Sequence, residues 1–186
     1  LNFNEFQPGF VGSVPVNMEK IWKIRKTEIE ALRVDFEEDG IIDMHIPSDI
    51  FSYPAFGNTR ARGKGNVPLN ISVDYLEFED RNQDGIYNVF DGDLPIIKGD
   101  VMLVWFRNDD VTHRNDQLKV DVVSYVYGYE CNDDLVDNTL FVEFDIYNRS
   151  TVNIQQFHAG IWTDFTIGCE YDDYVGSIPQ HNSVYA

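Results

Sequence analysis

Leu118-Lys-Val-Asp-Val-Val-Ser-Tyr-Val-Tyr-Gly-Tyr129 is apolar on both of its alternating faces. Leu118, Val120, Val122 and Val126 fall on one face, and Val123, Tyr125, Tyr127 and Tyr129 on the other. Successive strand side chains point to opposite sides, so this period of two reads as a strand with cover on both. Such a strand belongs at the centre of a two-layer sandwich, with one face on the core and the other covered by a loop, helix or partner. Residues 102–107, 140–147 and 157–165 repeat the period, with Asn, Asp and Gly between them. In 140–147, Leu140, Val142, Phe144 and Ile146 are expected on the core, and Glu143 and Asp145 in water. Shorter runs at 174–178 and 183–186 close the series. The fold class is mainly β: a two-layer antiparallel β-sandwich with one short helix.

That helix lies upstream. Residues 20–26 alternate as a short strand, and Thr27 followed by Glu30 has capping-box spacing. Ile29, Leu32 and Phe36 then form a buried stripe, and Gly40 ends the helix. Between 43 and 68 the Pro and Gly residues leave room for one helical turn near Ser48. Residues 1–19 read as an N-terminal extension. Residues 20–186 read as a single β-rich domain, helix- and loop-rich over 20–95 and strand-rich over 96–186. The final strand-like run suggests that the native chain continues beyond it.

The chain has 186 residues, 43% of them apolar and 14% aromatic, ample for a core. Lys and Arg number 14 against 32 Asp and Glu, a net charge of −18. Nucleic acids and anionic membranes are therefore poor partners, since both need basic surface. No run approaches the ~18 apolar residues of a membrane-spanning helix, so no membrane insertion is expected. The acids are 21 Asp and only 11 Glu. Asp is the poorer helix former, so the excess points to turns and oxygen-rich cation sites.

Residues 80–91, Asp-Arg-Asn-Gln-Asp-Gly-Ile-Tyr-Asn-Val-Phe-Asp, place oxygen side chains at loop positions 1, 3, 5, 9 and 12. The ligands are Asp80, Asn82, Asp84, Asn88 and Asp91, with the carbonyl of Ile86 at position 7. Gly85 at position 6 permits the sharp turn, and short side chains let oxygens close on an ion at about 2.3–2.6 Å. The expected cofactor is Ca2+, which adds calcium-binding loops to the fold class. Asp91 stands where a sensor EF-hand has Glu, and the loop resembles those of dockerin and thrombospondin type 3 repeats. The alternative is an Asx-rich turn whose side chains bond their own backbone. Weaker candidates are Asp35, Glu37, Asp39 and Asp43, which could equally be a helix C-terminus closed by Gly40. Asp164, Asp172 and Asp173, beside Glu170, form a third acidic knot.

The four histidines are scattered and no nucleophile motif appears, so the sequence identifies no reaction and leans away from an enzyme without deciding the matter. Trp162, Tyr125 and Tyr127 could stack on sugar rings, although core packing is the competing fate. Cys131 and Cys169 are a disulfide or two thiols. An extracellular setting favours the disulfide.

In order along the chain, several segments resemble a family of large secreted Bacteroidetes proteins, cargo of the type IX secretion system that usually ends in a C-terminal sorting domain. They are Lys20-Ile-Trp-Lys-Ile24, Glu28-Ile-Glu-Ala31, Asp39-Gly-Ile-Ile-Asp43 with Ile46-Pro47, and the 80–87 loop. They continue through Asp91-Gly-Asp-Leu-Pro-Ile-Ile-Lys-Gly-Asp100, Asn138-Thr-Leu-Phe141, Ile146-Tyr-Asn-Arg-Ser150, Gly160-Ile-Trp-Thr-Asp164 and Asp172-Asp-Tyr-Val-Gly176. The resemblance implies type IX export to the extracellular space or outer cell surface, with the sorting domain absent from this stretch. The function expected is a calcium-stabilised module for adhesion or surface assembly with a protein or glycan partner. The alternatives are a carbohydrate-binding module or part of a polysaccharide-active enzyme.

Overall fold

Val120–Gly128 pairs antiparallel on both sides, with Val101–Asn108 and with Phe141–Asn148. The computed structural model describes residues 6–111, 117–160 and 174–185, in two units, Leu1–Asn153 and Ile154–Ala186. Strands of the first unit, in chain order, are β1 (Gln7–Pro8), β2 (Trp22–Arg25), β3 (Phe78–Glu79), β4 (Leu94–Pro95), β5 (Val101–Asn108), β6 (Val120–Gly128) and β7 (Phe141–Asn148). Its α-helices are α1 (Lys26–Asp39), α2 (Ser48–Phe51) and α3 (Asp134–Asp137). β1, β5, β6 and β7 form one sheet in that order, with β2 also on β5; β3 and β4 make a separate two-stranded ladder. In the second unit β8 (Gly176–Ile178) pairs antiparallel with β9 (Ser183–Tyr185). The protein is thus mainly β and antiparallel.

The inner face of the sheet carries Trp22, Ile24, Met102, Val104, Phe106, Val123 and Tyr125, all buried. What covers it is not a second large sheet but α1 and the segment 42–97. Ile29 and Leu32 of α1, with Ile50, Tyr53, Leu76, Tyr87, Val89 and Leu94, complete one core. Among the described residues the sheets are this five-stranded one and two of two strands. Residues 157–160 form no strand, and the rest of the predicted strand at 157–165 lies outside the described residues.

β7 faces the opposite way from the expectation. Its register sets Asp145 beside Val123 and Glu143 beside Tyr125, so the acids share the inner face, while Ile146 and Val142 adjoin Val122 and Val126 on the outer one. Period two fixes which residues travel together but not which side they take. Because β6 is apolar on both faces, either side could match, and the outer one did.

The start of α1 also differs. α1 makes no Thr27 capping box: its N-cap is Arg25, the last residue of β2, without a side-chain cap bond. Strand runs straight into helix, and the Lys26 N–H is satisfied instead by the Asp100 carbonyl at 2.9 Å. Gly40 closes the helix in the left-handed region at φ 81°, as predicted. Within the N-terminal segment Gln7 and Pro8 pair with β5, and Phe10 and Met18 are buried.

Candidate calcium loop and its surroundings

The ladder of β3 and β4 pairs Phe78 with Pro95 and Glu79 with Leu94, and so clasps the two ends of the loop 80–93. Within it the carboxylate of Asp80 accepts from the N–H of Asp84 (3.2 Å) and of Gly85 (2.7 Å). Asn82 Oδ1 accepts from Asp84 N–H at 3.1 Å, and Asp84 Oδ1 from Ile86 N–H at 2.8 Å. Gln83 and Gly85 both have positive φ, 60° and 74°, which makes the sharp turn the spacing called for. Asn88 caps the turn Val89–Asp91 through Phe90 N–H at 3.3 Å. Tyr87 anchors the loop: its buried ring lies against Tyr53 and Phe78, and its hydroxyl donates to the Ile50 carbonyl at 2.8 Å.

Asp91 and Asp84 are bridged by amides. Asn82 Nδ2 donates to Asp84 Oδ2 at 3.0 Å and, at 3.5 Å, to Asp91 Oδ2, which also receives Asn88 Nδ2 at 2.6 Å. Rotating an amide by 180° puts Oδ1 where Nδ2 stands, which converts a donor into a cation ligand. For Asn88 that rotation displaces Arg60, whose Nη1 donates to Asn88 Oδ1 at 3.1 Å and whose guanidinium lies over the Phe90 ring. As folded, no group of three or more His, Cys, Asp or Glu among the described residues is drawn close enough to hold a metal.

Asp93 escaped the sequence reading, although its place two residues after Asp91 was a signal. It is fully buried and accepts Arg81 N–H and Asn88 N–H, each at 2.9 Å, joining the two halves of the loop. Burial pushes its carboxyl above the ordinary value, with Asp80 and Asp84 adding to the rise and the two N–H donors opposing it. A neighbouring cation would relieve that strain. Asp121 was also overlooked. On the inner face of β6 it accepts Val11 N–H and the Tyr75 hydroxyl, each at 2.6 Å, and so ties the N-terminal segment to the sheet; burial raises its carboxyl too.

The weaker candidates separate. Asp35 Oδ2 accepts Asp43 N–H (2.9 Å) and Met44 N–H (3.2 Å), and Asp39 caps Ile41 N–H, so these acids close the helix end. The nearby Asp35 charge holds the Asp43 carboxyl above its usual value. Glu37 turns away to Arg81 Nη2 at 3.5 Å. Tyr125 is buried under Lys98, and Tyr127 stacks on Phe141 at 5.3 Å, which leaves Tyr125 no ring face for a sugar. Cys131 is exposed. Trp162, Asp164, Cys169, Glu170, Asp172 and Asp173 lie outside the described residues, and with them the predicted disulfide and the third acidic knot. No helix among the described residues is long and apolar enough to cross a membrane. Compared with known proteins, the chain matches no family model, no curated protein and no solved structure.

Proposed function

We propose that the chain is a calcium-clamped interaction module of a secreted or cell-surface protein, serving adhesion or surface assembly. One observation carries the reading. The loop closed by β3 and β4 joins Asp84, Asn82, Asp91 and Asn88 through one run of side-chain bonds, with amide groups standing between the carboxylates, and Asp80 is tied to that run through the main-chain N–H of Asp84. Calcium replaces those amide donors and draws the carboxylates inward, with the Ile86 carbonyl at position 7. The ion clamps a loop that Tyr87 roots in the core, so binding stabilises the whole unit. The extracellular setting and type IX export come from the family resemblance alone.

The finer fold reading, a two-layer sandwich, requires a second sheet on an apolar face of the first. The inner face is already covered by α1 and 42–97, which leaves the outer one.

The test is calorimetric. An ion at a hundred times its Kd stabilises the folded chain by about 2.7 kcal/mol. Calcium therefore raises Tm by several degrees over EDTA, and Asp84→Ala with Asp91→Ala abolishes the rise. Equal melting in calcium and EDTA, with no heat of binding, removes the reading.

A further inference from the structure

The five-stranded sheet has two unlike borders. At one, β2 is guarded: Lys23 N–H donates to Asp49 Oδ2 at 3.0 Å, and the other oxygen of that carboxylate holds Lys20 Nζ at 3.0 Å. At the other lies β7, eight residues without Pro, Gly or Lys, which among the described residues pairs only with β6. Among the described residues no main-chain hydrogen bond leads from 141–147 to anything beyond that pairing. A long strand edge of this kind is a template for another strand.

Its side chains specify what that strand must carry. Val142, Phe144 and Ile146 are exposed on the outer face, in rows with Val126 and Val122. Glu143 and Asp145 occupy the other face, and Lys98 already reaches Glu143, so this face accepts cations. We infer that this edge of β7, open among the described residues, takes up an extended segment of a partner protein in which apolar residues alternate with lysine or arginine. Main-chain pairing supplies the attachment, and the alternation supplies the selectivity. A second copy of β7 fits badly, because it sets Glu143 and Asp145 against their own counterparts between chains that each carry −18. The inference rests on the assembly role proposed above but uses no calcium ligand.

The experiment uses the 186-residue chain, 15N-labelled, in calcium. The probes are three synthetic peptides: valine and lysine alternating, valine and glutamate alternating, and the valine–lysine composition with the lysines in one block. The alternating lysine peptide is expected to shift and protect β7 amides and to bind roughly tenfold tighter than the other two. Asp145→Lys reverses the preference toward the glutamate peptide. Val142→Lys, at an exposed site that leaves the fold intact, weakens all binding to the edge. The inference is overturned if the blocked peptide binds equally, since that is charge attraction alone, or if the shifts map away from β7. It is also overturned if the outer-edge amides of β7 are protected before peptide is added, or if sedimentation shows a dimer through that edge. An EDTA melting curve on the same sample tells failure of the edge from failure of the calcium loop.

Discussion

On the inner face of the sheet Trp22, Ile24, Val104 and Val123 are sealed from water, whereas on the outer face Val101, Val142, Phe144 and Ile146 remain 36–54% exposed. Both faces belong to one sheet, and both carry rows of apolar side chains. The difference arises in α1 and 42–97, which fold over one side and leave the other as it is. Cover, not strand composition, decides which apolar residues act as core.

The largest effect expected on either face is at Trp22. Its ring packs on Phe106 and its Nε1 donates to the Ser52 carbonyl at 2.9 Å, so Trp22→Ala removes a large core side chain and leaves that carbonyl short of a donor. A loss of about 3–5 kcal/mol is expected in urea unfolding. Phe144→Ala is the paired experiment, with a change within about 0.5 kcal/mol. If Phe144 costs nearly as much as Trp22, something covers the outer face in solution and the contrast collapses.

Asp121 and Asp93 come next, because the inner side also hides charge. Asp121→Ala orphans Val11 N–H and the Tyr75 hydroxyl and leaves Arg149 Nε, 3.5 Å away, without its carboxylate. A loss of about 2–3 kcal/mol is expected, with fraying of the N-terminal segment seen as faster hydrogen exchange at residues 7–11. Asp93→Ala frees two N–H groups and costs about 1–3 kcal/mol. It also weakens calcium binding, a second readout that Asp121→Ala leaves unchanged.

Much of this was legible in the sequence, and the misses have physical causes. The strands at 22–25, 101–108 and 120–128, the helix with Ile29 and Leu32 inward, Gly40 as its end and the turn at Gly85 all follow from local patterns. The side taken by β7 does not, because two-sided apolarity in β6 removes the information that would set it. The cover of the inner face by α1 and 42–97 was not legible, because alternation in one sheet says that a face is covered, not what covers it. Asp121 was hidden for the same reason as β7: an acid inside an apolar run looks like a wet position until its partners, 46 and 110 residues away, are in place. In the calcium loop the odd-position residues were readable from spacing, while Asp93 and Arg60, which set its electrostatics, lie outside the motif.

The smallest effect separates the faces by sign. The outward positions of β5, β6 and β7 carry no carboxylate, whereas Asp93 and Asp121 are buried on the inner side with raised pKa, and Asp43 is raised by Asp35. A carboxyl whose folded pKa exceeds its unfolded value binds its proton more readily in the folded state, so stability rises as pH falls through the folded pKa and levels off below the ordinary 3.8. Asp100 has the opposite sign. Its carboxylate, held below the ordinary value mainly by the Glu130 N–H, gives stability that is lost only under still more acid conditions. In EDTA, Tm is therefore expected to rise slightly from pH 7 towards the isoelectric region near 4.3, as net charge and self-repulsion also fall. With calcium the whole curve is displaced upward, because Asp80, Asp84 and Asp91 supply carboxylates to the ion and an ion bound only by the folded chain stabilises it. Calorimetric scans across that interval, with and without calcium, read the slope and the displacement. Superimposed series would mean that the buried acids act without the ion, and that the loop is an Asx-rich turn.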